Sequence, residues 1–166
     1  MFKRIPLADV AMCLPIQVIT SNPGTNNEPL ATLQDGKRAA NYGPVFRNST
    51  AIGLYKIDLG KSQELLEINT WSYSEGARGP QNFVIYGSAV DIDPGWSIDD
   101  AESFTPIAEV NTKGLHNAKF NATSVRHSQG MSLGTFRWLI WATYPLNATG
   151  EHTAFQELQV RQVESR

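Results

Sequence analysis

Eight short stretches of the chain either alternate apolar with polar residues or run apolar for a few positions, and clusters of Gly, Pro, Asn and Asp separate them. They cover residues 15–20, 54–59, 65–74, 82–88, 104–110, 118–125, 136–143 and 155–163, and they are rich in Val, Ile, Thr and aromatic residues. That length, period and composition predict β-strands. No window of helical length keeps apolar residues at i, i+3, i+4 and i+7, and 13 Gly with 9 Pro would interrupt most attempts. Only residues 29–33 suggest a short helical turn. Eight strands without βαβ alternation predict an all-β chain, an eight-stranded antiparallel jelly-roll β-sandwich, with residues 1–166 as one domain. Three loops, 36–52, 89–103 and 144–154, are long enough to carry binding residues at the ends of such a scaffold.

Composition narrows the partner. Fourteen Lys+Arg against 16 Asp+Glu give a net charge of −2, and 18% charged residues beside 10% aromatics describe a chain that folds on its own core. Without a Lys/Arg cluster, nucleic acid and acidic membrane surfaces are poor partners. No stretch is long and apolar enough to span a bilayer. Lys3 and Arg4 precede an apolar segment, but Pro6, Asp9 and Pro15 interrupt it, so it reads as mature domain sequence and not as a signal peptide. The single cysteine, Cys13, sits between Met12 and Leu14 and reads as a structural thiol. Sequons at Asn48, Asn121 and Asn147 are too few, in a chain this rich in Asn, Ser and Thr, to fix a compartment.

The residues for chemistry are sparse. His116, His127 and His152 have no metal-ligand spacing, and nucleophile elbows and phosphate loops are missing. Glycan hydrolysis needs two facing carboxylates, for which Glu67 and Glu157 are the main strand candidates. Asp91, Asp93 and Glu102 fall at EF-hand positions, but Trp96 stands where the loop needs Gly, so a solvated loop is the better reading. Trp96 itself either caps the core or stands exposed as a stacking platform. Trp71 and Tyr73 share the face of their strand opposite to Leu66 and Ile68 and lead into a loop with Arg78 and Gln81. Aromatic rings beside a guanidinium and an amide suit a neutral sugar, whose C–H face packs on the ring while planar groups read its hydroxyls. An ordinary outer-sheet aromatic pair fits the same residues. Tyr144, Asn147 and His152 lie in a loop that closes the same fold and complete the candidate site.

Five segments in order carry a resemblance: Asp35-Gly36, the strand from Tyr55 to Gly60, the strand from Ile68 to Ser74, Arg78-Gly79-Pro80-Gln81-Asn82-Phe83, and Ile85-Tyr86-Gly87-Ser88. Residues 104–112, 136–139 and 155–160 continue it. Together they resemble the discoidin, or coagulation factor V/VIII type C, superfamily, and more closely the galactose-binding-like modules of carbohydrate-binding family 32. The resemblance implies a jelly roll with a structural Ca²⁺ held by Asp35, Glu157 and backbone carbonyls. Ala40-Asn41 replaces the Thr or Ser usual in that loop, Lys37 and Arg38 add positive charge beside it, and the disulfide of the animal domains is missing.

The expected function is that of a non-catalytic carbohydrate-binding module for an oligo- or polysaccharide, extracellular or periplasmic, within or beside a glycan-degrading enzyme. A discoidin-type adhesion domain would instead present apolar spikes among basic residues, for which Lys37, Arg38 and Arg47 near Val45 and Phe46 are the candidates. A small jelly-roll polysaccharide lyase or hydrolase would bring Tyr73, Arg78 and His152 together.

Overall fold

The computed structural model describes residues 5–39, 41–115 and 120–164. Lys3, Arg4, Ala40, His116 and the first two residues of the 118–125 candidate lie outside them. The described strands are β1 (Val18–Asn22), β2 (Asn26–Asn27), β3 (Pro44–Val45), β4 (Gly53–Ser72), β5 (Asn82–Ser88), β6 (Thr105–Asn111), β7 (Thr123–Arg126), β8 (Gly134–Thr143) and β9 (Phe155–Gln162). Short 3₁₀ turns form at Val10–Met12 and Leu30–Gln34, the second where a turn was expected. The all-β jelly roll read from the sequence is the fold found. It differs in detail, because the candidates at 54–59 and 65–74 are one strand, and the two-residue β2 and β3 were not anticipated.

β4 organises the sandwich. Its first half lies between β1 and β8, and β5 and β6 extend that sheet outward in the order β1-β4-β8-β5-β6; its second half lies between β9 and β7. Every pairing is antiparallel. Between the halves the register against β8 shifts after Asp58, at a left-handed Gly60 with φ +80°. Arg137 donates Nε and Nη2 to the two Asp58 oxygens at 2.9 Å, and the Gly60 N–H donates to Oδ1 at 2.7 Å. The first of these contacts dominates in holding the Asp58 carboxyl below its ordinary pKa. The polar run from Asp58 to Glu64 looks like a loop in sequence, yet these partners let it continue as strand.

The core lies between the halves, where Tyr55 and Ile57 meet Leu65, Ile68, Phe83, Leu139, Trp141, Phe155, Leu158 and Val160. Phe83, Phe155, Tyr55 and Phe46 form a chain of tilted rings 4.7–5.8 Å apart that ends against the His152 imidazole at 5.7 Å. This aromatic column is the floor beneath the loops at one end of the sandwich. The acidic loop 89–103 covers the outer face of the larger sheet. Trp96 packs there with Ile98 and Phe104 against Leu54, Ile140 and Ala142, so of its two readings the core cap is correct. Buried Lys56 donates to Asp93 and to the Gly95 carbonyl and lies 4.2 Å from the Trp96 ring centroid. Asp93 is therefore paired with an ammonium.

Residues 5–14 form a strap over the outer face of the second half of β4 and its neighbour β9. Ala8 exchanges two 3.0 Å hydrogen bonds with the Gln159 amide, the Leu14 N–H donates to the Val160 carbonyl at 2.8 Å, and Trp71 Nε1–H donates to the Ile5 carbonyl at 3.0 Å. Beneath it lie buried Glu67, Asn69, Trp71, Glu157 and Gln159. Glu67 meets Arg126 at 3.1 Å and Arg161 at 3.6 Å, whereas no cationic side chain among the described residues pairs with Glu157. Cys13 is a half-buried strap residue whose thiol is pushed up in pKa mainly by burial, consistent with a structural role.

Candidate functional site

β1 and β8 end, and β4 and β5 begin, at one end of the sandwich, so the connections at 23–26, 46–52, 73–81 and 144–154 cluster there. Arg78 ties three of them together. Its Nη1 donates to the His152 carbonyl at 3.0 Å, its Nη2 to Asn48 Oδ1 at 2.5 Å, and its Nε lies 3.7 Å from Glu151 Oε1. Glu151 in turn accepts from Asn147 Nδ2 at 2.6 Å, and Asn147 Oδ1 accepts from Thr149 Oγ1 at 2.7 Å. Charge-assisted contacts of this kind fix side-chain geometry more firmly than neutral ones.

Two tyrosines complete the surface. Tyr42, 38% exposed, meets Tyr73 edge-on with centroids 4.8 Å apart, and the Arg78 guanidinium is 6.0 Å from the Tyr42 ring. Tyr42 is set by the residue after it: Gly43 has φ +69°, and a Cβ there would lie 2.3 Å from the Phe155 carbonyl oxygen. Only glycine fits that close approach. Burial first, then the neighbouring Glu75 charge, push the Tyr73 hydroxyl up in pKa. The result is a partly exposed pair of rings rimmed by guanidinium, amide and carboxylate groups.

Three of the expected binding residues, Tyr73, Arg78 and Asn147, are brought together here. Four are not. Trp71 is 1% exposed and faces the strap. Gln81 is buried, accepting from Thr70 and Thr123 hydroxyls at 2.7 Å and so linking β4 to β7. His152 turns its imidazole inward, where Nε2–H donates to the Thr50 carbonyl at 2.7 Å and Nδ1 lies 3.1 Å from Thr143 Oγ1. Tyr144 packs on the outer cluster with Leu54 and Ile140, beside Tyr86. Tyr42, Asn48 and Glu151 were missed, although an aromatic residue directly before Gly-Pro in the longest loop, and a carboxylate four residues after Asn147, were available signals. Val45 and Phe46 are buried and offer no apolar spike, and Arg78 meets His152 through the backbone carbonyl while the imidazole turns inward.

His152 holds the 46–52 loop from below. Burial keeps its pKa under the ordinary histidine value, with the Arg78 charge adding to the effect and the Thr50 hydrogen bond opposing it. A proton that the folded imidazole refuses is taken up by the unfolded chain, whose histidine has a pKa of about 6.5. The contribution of this residue to stability is therefore complete above that value and is lost as pH falls through it toward the folded pKa. Urea unfolding from pH 7.5 to 5 should show this slope as a difference between the wild type and His152→Gln.

The Glu157 carboxylate reaches the backbone of the loop that carries Asp35. The Gly36 N–H donates to Glu157 Oε1 at 3.1 Å, the Lys37 N–H donates to Asp35 Oδ1 at 2.8 Å, and burial first, then the Asp35 charge, pushes the Glu157 carboxyl up to about 8. Among the described residues Glu157 Oε2 is buried with no hydrogen-bond partner, and Glu157 borders a 180 Å³ pocket also lined by Gln34 and Cys13. An orphaned carboxylate oxygen next to a second carboxylate fits a hard cation. Among the described residues no third acidic, His or Cys side chain joins them, so further ligands would be carbonyl oxygens.

No family model matches the sequence, and no curated protein sequence matches it. Solved structures match the fold. The family 32 carbohydrate-binding module of AlyQ, in complex with 4,5-unsaturated mannuronic acid, superposes with a TM-score of 0.61 at 18% identity, over 92% of this chain and 99% of that one. Chitosan-binding module 1 of a chitosanase/glucanase from Paenibacillus sp. IK-5 gives 0.60 at 12% identity, over 92% and 98%. A family 32 module from Clostridium perfringens in complex with GalNAc-β-1,3-galactose gives 0.56 at 15%, over 87% and 94%. This chain has the jelly-roll fold of these carbohydrate-binding modules.

Proposed function

We propose that the protein is a non-catalytic carbohydrate-binding module that holds a glycan on the Tyr42–Tyr73 pair, with Arg78, Asn48, Asn147 and Glu151 reading its hydroxyls. The observation that carries this reading is a solvent-facing aromatic pair clamped beside a guanidinium whose own geometry is fixed by three loops. Rings of this kind cover the C–H face of a sugar, and planar polar groups at their rim select its hydroxyl pattern. The neighbours in fold are described with sugars as different as a uronic acid derivative and an aminosugar disaccharide, so the fold supports glycan binding without choosing the sugar. The module works outside the cytoplasm, beside or within a glycan-degrading enzyme, as AlyQ combines its module with alginate lyase domains. A structural Ca²⁺ held by Asp35 and Glu157 clips the first long loop to β9.

Affinity electrophoresis on a polysaccharide panel tests the reading. An open site binds one sugar weakly and gains from repetition along a polymer. Tyr42→Ala should lower affinity for the retained polysaccharide roughly tenfold, the effect of an aromatic contact worth about 1.4 kcal/mol, while its unfolding midpoint stays within experimental error of the wild type. Equal retention of wild type and Tyr42→Ala would remove this site from the proposal.

A further inference from the structure

A second opening lies at the same end of the sandwich, on the other side of the 46–52 loop. It is a 390 Å³ cleft lined by Pro23, Gly24, Thr25, Asn26, Arg47 and Thr50. The loop between the two openings is a held partition, since Asn48 accepts from Arg78 on one side and the Thr50 carbonyl accepts from His152 beneath. Among the described residues, Arg47 has no ion pair, and the side chains of Thr25, Asn26 and Thr50 have no hydrogen bond. The cleft thus offers an exposed proline ring, two hydroxyls, an amide and one guanidinium, and none of its walls carries an acidic side chain. Hydroxyls and an amide suit sugar hydroxyls, while an unpaired planar guanidinium matches a carboxylate through two parallel hydrogen bonds. From Tyr42 to Arg47 the chain can extend at most about 18 Å, a span of a few sugar rings.

We propose that this cleft is a subsite for a uronic acid residue, reached by a chain whose neighbouring sugar rests on Tyr42 and Tyr73. This rests on the glycan-binding reading and adds to it the class of ligand, an acidic polysaccharide. Arg47 is the specificity-determining residue, Asn26 and Thr50 orient the ring, and Pro23 packs against its apolar face. An exposed guanidinium also makes binding sensitive to salt, because an ion pair at the surface is screened over about 8 Å at physiological ionic strength.

The test uses the full chain with polygalacturonate, alginate and hyaluronate, each beside its carboxyl-reduced, neutral counterpart. At least one acidic polymer should be retained, with affinity about tenfold lower after carboxyl reduction. Arg47→Ala should reproduce that loss for the acidic form and leave the reduced form unaffected, and Arg47→Lys should restore only part of it. Unchanged melting temperatures would exclude misfolding as the cause. Retention of acidic and reduced forms alike, indifference to Arg47→Ala, or failure to retain any acidic polymer would overturn the subsite. If Arg47→Ala is silent while Tyr42→Ala still weakens binding to a neutral glycan, the subsite alone is wrong; if neither substitution matters, the glycan-binding site falls with it.

Discussion

Trp71→Ala should destabilise the fold by about 3–5 kcal/mol and leave the glycan affinity of the folded molecules unchanged. The indole is buried between β9 and the strap, opposite Glu157 in the strand register, and its N–H holds the Ile5 carbonyl. Removing it opens a cavity under a segment that has little secondary structure of its own, so both the transfer and the cavity terms apply. Trp71→Phe, which keeps most of the apolar surface but leaves the Ile5 carbonyl without its donor, should cost only about 1–2 kcal/mol. Urea unfolding of both variants, together with affinity electrophoresis below the transition, separates a packing role from a binding one. Lost retention at unchanged stability would return Trp71 to the binding surface.

The same residue shows how far the sequence could be read. Strand periodicity correctly set Trp71 on the face opposite to the apolar one, because side-chain direction follows from the two-residue repeat alone. What covers that face is a tertiary fact. The strap reaches it through the Gln159 amide and the Trp71 indole, contacts between residues far apart in sequence that no local pattern encodes. Asp35 and Glu157 were suggested only by the resemblance, and the Glu157 carboxylate accepts from the Gly36 N–H, next to Asp35 in the chain. At the loop end, the grouping of Tyr73, Arg78 and Asn147 was legible because they flank strands whose ends the pattern predicted. Tyr42 and Asn48 escaped notice because their positions depend on the left-handed Gly43 and on Arg78 reaching across from another loop. The placement of Gln81 and His152 was hidden for a related reason: polar residues next to a candidate site look free to bind until their hydrogen bonds are seen to be internal.

Calcium should reverse the sign of the Glu157 contribution to stability. In chelator, the folded carboxyl has a pKa of about 8 against an ordinary 4.5, chiefly because it is buried. A folded value above the unfolded one means that the protonated form is favoured in the native state. The stability this group supplies is then complete below about 4.5 and is lost as pH rises through 8, at up to about 1.4 kcal/mol per pH unit in the steepest range. Glu157→Gln, which keeps the shape and cannot ionise, should remove the slope and make the chelated protein more stable than wild type at pH 8. A bound cation changes the balance by giving Oε2 the partner it lacks and by offsetting the Asp35 charge. With free Ca²⁺ at 100 times its dissociation constant, linkage adds about 2.7 kcal/mol, or roughly 5–10 °C in melting temperature for a domain of this size. Asp35→Asn and Glu157→Gln should each lose most of that increment, and the second should melt at the same temperature with chelator or calcium. Melting curves at pH 6 and pH 8, with and without calcium, contain the whole test: an increment that survives both substitutions would locate the ion elsewhere, and a wild type insensitive to calcium at either pH would leave Glu157 as an uncompensated buried acid.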